Sequence, residues 1–84
     1  MQVPQVGQIY RHYKNDLMTG DYEIIGIGYD TELKEKTIIY KPLYKDIFLS
    51  KKKATAYVRL LRVFQEDVEW RGEIIPRFSL VLQE

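Results

Sequence analysis

Gly26 and Gly28 interrupt the most strand-like segment of the chain, Tyr22-Glu23-Ile24-Ile25-Gly26-Ile27-Gly28-Tyr29. Side chains alternate across a strand. That alternation puts Tyr22, Ile24, Gly26 and Gly28 on one side and Glu23, Ile25, Ile27 and Tyr29 on the other. Glycine inside a strand weakens it and marks a bulge or a sharp bend, the device by which a sheet curls. The chain has 84 residues, room for one small domain spanning residues 1–84 and no more. A domain this small buries only about 60–65% of its unfolded surface, so curling one sheet over its own core is the economical solution.

The rest of the chain reads as strand, turn, strand. Val6 to Lys14 is a first strand and Asn15 to Asp21 a turn-rich connection. Asp30 to Glu35 is a polar loop, and Lys36 to Leu43 is a third strand centred on β-branched residues. Tyr44 to Thr55 reads as a long exposed loop, and Ala56 to Leu60 as a fourth strand. Leu61 to Glu66 has the character of a short helical turn plugging one end of the sheet. Asp67 to Arg71 and Glu73 to Leu82 form a closing hairpin, turning at Arg71-Gly72 with Gly72 at positive φ. Pro76 splits the final strand, so that Glu73 to Ile75 can pair separately from Arg77 to Leu82. No segment carries a long helical period. The expected fold is mainly β: a small, strongly bent antiparallel sheet or an SH3-like barrel, with one short helical turn.

The formal charge of +1 is far from the strongly basic balance typical of nucleic-acid-binding domains. Absence of cysteine removes disulfides and thiolate metal sites, and fits a reducing cytoplasm. The N-terminal residues lack a signal-peptide pattern, and no apolar run approaches the ~18 residues of a membrane span. These features predict a cytoplasmic protein with no membrane association, a monomer or a weak dimer through exposed sheet edges.

Several motifs run along the chain in order. They are Gly7-x-Ile9-Tyr10-Arg11-His12-Tyr13-Lys14, then Tyr22-Glu23-Ile24-Ile25-Gly26, then Glu32 followed by Ile38-Ile39-Tyr40 and Leu43-Tyr44. Val58-Arg59, Phe64-x-Glu66-Asp67-Val68, Gly72 and Ile75-Pro76-Arg77-Phe78 complete the set. Together they resemble the small bacterial domain-of-unknown-function family numbered sixteen fifty-three. Tyr57 and Leu60 stand where that family usually has tryptophan and proline around the Val-Arg pair, and Asp30 stands where it commonly has a histidine. The resemblance implies a mostly β, stand-alone protein and carries over no activity.

Reactive side chains are scarce. His12 is the sole imidazole, and its ordinary pKa near neutrality suits a general base or a pH-sensitive ligand contact. A hydrogen-bonded histidine on a sheet surface is the plainer role, because base catalysis also needs an oriented partner. Glu32 and Glu66 are the candidate partners. A structural zinc site needs about four nitrogen or sulfur ligands, which this chain lacks, so no metal and no cofactor is expected. Gly26-Ile27-Gly28 lies within a strand and opens no helix, unlike a phosphate loop. Ser50 and Ser79 are the only serines, and neither sits in a nucleophile motif.

Binding is the better-supported role. The 7 tyrosines interleave with basic residues, a composition that stacks bases or makes protein-recognition surfaces. At least half of them should be needed as core or rim packing, since only Phe48, Phe64 and Phe78 supply phenylalanine. Arg59 and Arg77 lie in apolar strand contexts and should pair with a carboxylate such as Glu32 or Glu66. The candidate ligand-binding set is therefore Arg11, His12, Tyr13, Glu32, Tyr40, Tyr57, Arg59 and Arg77. Lys51, Lys52 and Lys53, with Lys41 and Lys45 upstream, form a candidate phosphate or nucleic-acid contact, or a solubilising loop tip. The expectation is a non-catalytic module for an unknown protein or small polar ligand. Nucleic-acid or nucleotide binding is one alternative, and a small enzyme centred on His12 is another.

Overall fold

The computed structural model describes residues 3–14, 20–44 and 46–82. Among the described residues, seven strands and two short helices follow one another: β1 (Ile9–His12), β2 (Tyr22–Asp30), β3 (Glu35–Pro42), α1 (Ile47–Lys51), β4 (Tyr57–Leu60), α2 (Leu61–Phe64), β5 (Asp67–Trp70), β6 (Glu73–Pro76) and β7 (Phe78–Leu82). Five strands form one antiparallel sheet in the order β4-β3-β2-β1-β7, and β5 and β6 form a separate hairpin. Of the two anticipated forms, the bent open sheet is the one found. Closure into a barrel would require β4 to pair with β7, and both remain edges. Residues 15–19 of the expected connection, and Lys45, lie outside the described residues.

The curl is nonetheless pronounced. Strands β3 and β7 are three places apart in the sheet, about 14 Å if it were flat. The rings of Tyr40 on β3 and Phe78 on β7 are 5.5 Å apart, and the Arg59 guanidinium on β4 lies 5.6 Å from the Phe78 ring centre. Two bulges accompany this bend, each of which locally increases twist. In β2, Ile24 faces Tyr40 and Gly26 faces Ile39, so Ile25 has no partner. In β7, Val81 is likewise skipped between Leu80 and Leu82.

The β2 bulge corrects the expected alternation. Directly opposed residues of an antiparallel pair share a face, so Ile24 lies with Tyr40 on the core side. Beyond Ile25 the phase inverts: Gly26 and Gly28 join Ile39 and Thr37 on the opposite face, while Ile27 moves to the side of Ile38. A Cβ on Gly28 would lie 2.6 Å from the Thr37 hydroxyl oxygen, so glycine there permits the close approach of a buried threonine.

Tyr10, Ile24, Ile38, Tyr40, Phe64 and Phe78 form the buried core. Four of these six are aromatic, and their rings meet mostly edge to face, while Phe64 and Phe78 stack in parallel at 4.1 Å. Tyr10 is buried without an orphaned hydroxyl, because it donates to Gln8 Oε1 at 3.2 Å. Helix α2 falls where the helical turn was expected and delivers Phe64 to the core.

Helix α1 lies in the segment read as an exposed loop, so two short helices replace the single expected one. Asp46 caps it: its backbone is extended, and its Oδ1 accepts from the Leu49 N–H at 3.1 Å. Burial of Leu49 fastens the turn to the body of the protein. The lysine run masked this apolar anchor in the sequence.

The closing segment divides at Pro76 as anticipated. Glu73–Pro76 pairs with β5, and Phe78–Leu82 pairs with β1. The hairpin turns on Arg71 and Gly72, both at positive φ, the combination required by a two-residue turn of the mirror-image type. Arg77, between the two paired stretches, donates from Nε to the Val63 carbonyl and from Nη2 to Glu66 Oε1 at 2.8 Å. It clips the end of α2 to the start of the hairpin.

Candidate functional site

Every strand of the main sheet sends a side chain to one pocket on the concave face. His12 comes from β1, Tyr22 from β2, Tyr40 from β3, Tyr57 and Arg59 from β4, and Phe78 from β7. The register explains the convergence, since Tyr40 is opposite Tyr57 and His12 is opposite Phe78, so each pair shares a face. The cavity measures about 140 Å³.

Its polar groups have defined partners. Arg59 Nε donates to the Tyr40 hydroxyl at 3.1 Å, and no carboxylate among the described residues pairs with the Arg59 guanidinium. The Lys14 backbone N–H donates to His12 Nδ1 at 3.2 Å, which leaves the imidazole proton on Nε2. Tyr57 donates to Asp46 Oδ2 at 2.6 Å, tying the start of α1 to the pocket rim. The hydroxyls of Tyr22 and Tyr44 share a hydrogen bond of 2.9 Å.

These surroundings shift the protonation of the site. Burial, reinforced by the positive charges of Arg59, Arg77 and Lys14, lowers His12 to about 4. The imidazole is therefore neutral at pH 7. Burial and the bond to Tyr44 push Tyr22 upward. Burial first, then the bond to Asp46 and its charge, raise Tyr57 to about 12. Asp46→Asn should bring Tyr57 ionisation down while leaving it above the ordinary ~10 for tyrosine, because the burial remains. Ring ¹³C shifts followed through alkaline titration report this directly, and an unchanged Tyr57 midpoint would contradict the role assigned to the carboxylate.

Four of the eight residues anticipated as ligand-binding meet in this pocket: His12, Tyr40, Tyr57 and Arg59. Tyr13 stands beside it, packed on His12 at 4.5 Å and on Trp70 at 5.2 Å. Arg11 makes a two-point ion pair with Asp21 at 2.9 and 3.1 Å, away from the cavity lining. Arg77 finds Glu66, one of its two expected partners. Glu32 is exposed in the β2–β3 turn, where its backbone N–H bonds Asp30 Oδ1, and it pairs with neither arginine. Lys51 ends α1, Lys52 lies over the Phe48 ring at 5.7 Å, and Lys53 adopts a positive φ. None of the three lines the pocket.

Sequence reasoning missed Tyr22 and Phe78 as pocket residues. Alternation placed Tyr22 on the side of Ile24, but nothing local separates a pocket tyrosine from a core one. A larger groove of about 470 Å³ runs along Pro4, Tyr10, Phe64, Pro76, Phe78 and Leu80. Its walls are mainly apolar, and it contains neither the imidazole nor an arginine. The imidazole of His12 and the guanidinium of Arg59 lie in the smaller cavity. Among the described residues, no group of three or more histidines and carboxylates could hold a metal ion, and no helix is long and apolar enough to cross a membrane.

Fold and site together define a small β protein with a curled open sheet and an aromatic pocket holding one imidazole and one guanidinium. The chain belongs to the family described as "Protein of unknown function (DUF1653)", whose sequence profile matches residues 8–80. A crystal structure of a protein of this family from Bordetella bronchiseptica is similar to it throughout. The identity is 31% and the TM-score 0.71, with 96% of this chain and 91% of that one covered. No curated protein matches the chain.

Proposed function

We propose that this protein is a non-catalytic, cytoplasmic binding module whose ligand presents a small polar group to the pocket of His12, Tyr40, Tyr57 and Arg59. The observation that carries this reading is Arg59. Its guanidinium is held by Tyr40 and Phe78 but has no carboxylate partner among the described residues. A half-buried charge without a counter-ion is costly to maintain, and a ligand would supply what is missing.

The state of His12 favours binding over catalysis. A histidine base is usually oriented by a carboxylate accepting its second N–H. Here Nδ1 is occupied as an acceptor from the backbone, and the depressed pKa makes the imidazole a weak base.

A screen of neutral and charged small metabolites, read by backbone-amide and aromatic-ring NMR, tests the reading. Saturable shifts should concentrate on His12, Tyr22, Tyr40 and Tyr57 and spare Trp70. If an oligonucleotide alone binds, with salt-sensitive shifts centred on Lys51, Lys52 and Lys53, the nucleic-acid alternative replaces the pocket reading.

A further inference from the structure

We propose that the pocket takes an oxyanion, a carboxylate or phosphate group at the end of a small ligand, held chiefly by the Arg59 guanidinium. This inference rests on the binding-module reading and narrows it to a ligand class.

The hydrogen-bond inventory points one way. Arg59 spends Nε on the Tyr40 hydroxyl, and its two terminal nitrogens have no acceptor among the described residues. Those nitrogens form a fork matched to two oxygens of one anion. Tyr40 accepts from Arg59, so its own O–H is available to donate. His12 accepts at Nδ1 from Lys14, so Nε2 is also a donor. Guanidinium, phenol and imidazole thus contribute donors to the lining of one cavity.

The carboxylate linked to this cavity is Asp46, and it is already engaged. Its Oδ2 accepts from Tyr57 and its Oδ1 from the Leu49 backbone. Asp46 makes no ion pair with Arg59. Arg77 and Lys14 add positive charge around His12.

The aromatic walls raise the opposite possibility. Tyr22, Tyr40, Tyr57 and Phe78 enclose the pocket much as aromatic cages enclose quaternary ammonium ions. Here Arg59 is itself the cation over Phe78, at 5.6 Å from the ring centre. A second cation entering the same 140 Å³ would be repelled. That volume is also informative about size. It equals the liquid share of a few water molecules at ~30 Å³ each, and lies below the ~300 Å³ at which pockets for whole ligands begin. The cavity accommodates an anionic head group, with the remainder of the ligand outside.

The test is an NMR titration of the intact protein with sodium acetate, inorganic phosphate and tetramethylammonium chloride at constant ionic strength. Acetate or phosphate should shift His12 and Tyr40 ring signals saturably, and the tighter of the two identifies the oxyanion source. Arg59→Gln should weaken that binding at least about tenfold, because the fork and its charge are both lost. Arg59→Lys should fall between, and Tyr40→Phe, which keeps the ring, should weaken binding several-fold. Lys52→Ala should leave it unchanged. Tyr40→Phe retains the test if Arg59→Gln does not fold. Binding of tetramethylammonium without binding of either anion would overturn the oxyanion inference and leave the binding module standing. Equal anion affinity in a folded Arg59→Gln variant would overturn it as well. Silence from all three probes, with hits from the metabolite screen, removes only the oxyanion assignment. Silence in both experiments removes both proposals.

Discussion

Phe64→Ala is expected to destabilise the protein by about 3–5 kcal/mol, the range for truncating a fully buried phenylalanine. Phe64 is 1% exposed, stacks on Phe78 at 4.1 Å, and meets Tyr10 and Tyr40 edge to face at 5.3 and 5.6 Å. Removing it deletes the contact that joins α2 to three strands. Typical stability is ~0.05–0.15 kcal/mol per residue, so a chain of this length has roughly 4–13 kcal/mol in total. The loss would therefore consume much of the margin. Urea unfolding followed by Trp70 fluorescence measures it. Phe64→Leu should cost less, since most of the volume is retained. A loss below about 1 kcal/mol for the alanine variant would show that the aromatic stack is not the centre of the core.

The second large effect is a dependence of stability on acid through His12. In the unfolded chain this histidine should titrate near its ordinary value of ~6.5. In the folded protein its pKa is about 4, because burial and the charges of Arg59, Arg77 and Lys14 disfavour imidazolium. As pH falls through 6.5, the unfolded state takes up a proton that the folded state refuses. The contribution of His12 is therefore fully present above ~6.5 and declines as pH drops toward 4, below which the folded form is protonated too. His12→Asn retains an acceptor for the Lys14 N–H while removing the titration. The difference in urea midpoint between the parent and this variant should change between pH 7.5 and 4.5, with the parent losing more. NMR titration should place the folded His12 midpoint near 4. A midpoint near 6.5 would mean that the imidazole is neither desolvated nor surrounded by positive charge.

Taking an oxyanion into the same pocket would bear on this behaviour. A bound negative charge offsets Arg59 and favours imidazolium, so acetate or phosphate should raise the His12 midpoint and soften the acid destabilisation. The stability and ligand measurements thus probe one electrostatic environment by independent routes.

Much of the fold follows from local chemistry. Two glycines inside an apolar strand signalled a bulge, and the bulge is there. Gly72 after Arg71 signalled a tight hairpin, Pro76 separated two pairings, and Leu61 to Phe64 forms the expected helical turn. The pairing of Arg77 with Glu66 was also legible, since those residues flank one short turn and hairpin. These features depend on backbone preferences and on contacts close along the chain.

Other features were illegible for equally physical reasons. Strict alternation assigned Gly26 and Gly28 to the face of Ile24, but one unpaired residue inverted the phase of all that followed. The cap made by Asp46 was hidden beside a lysine run whose charge suggested a loop.

The amino-acid order alone determined that the chain would build short, bent antiparallel strands with a single imidazole and no thiol. Only the tertiary structure decided that this imidazole meets Arg59, Tyr22, Tyr40, Tyr57 and Phe78. Those six side chains come from five strands, and a flat sheet would hold the outermost ones about four strand spacings, or ~19 Å, apart. Their meeting depends on how far the bulged sheet curls, a cumulative property of twist and packing that no local stretch of sequence encodes.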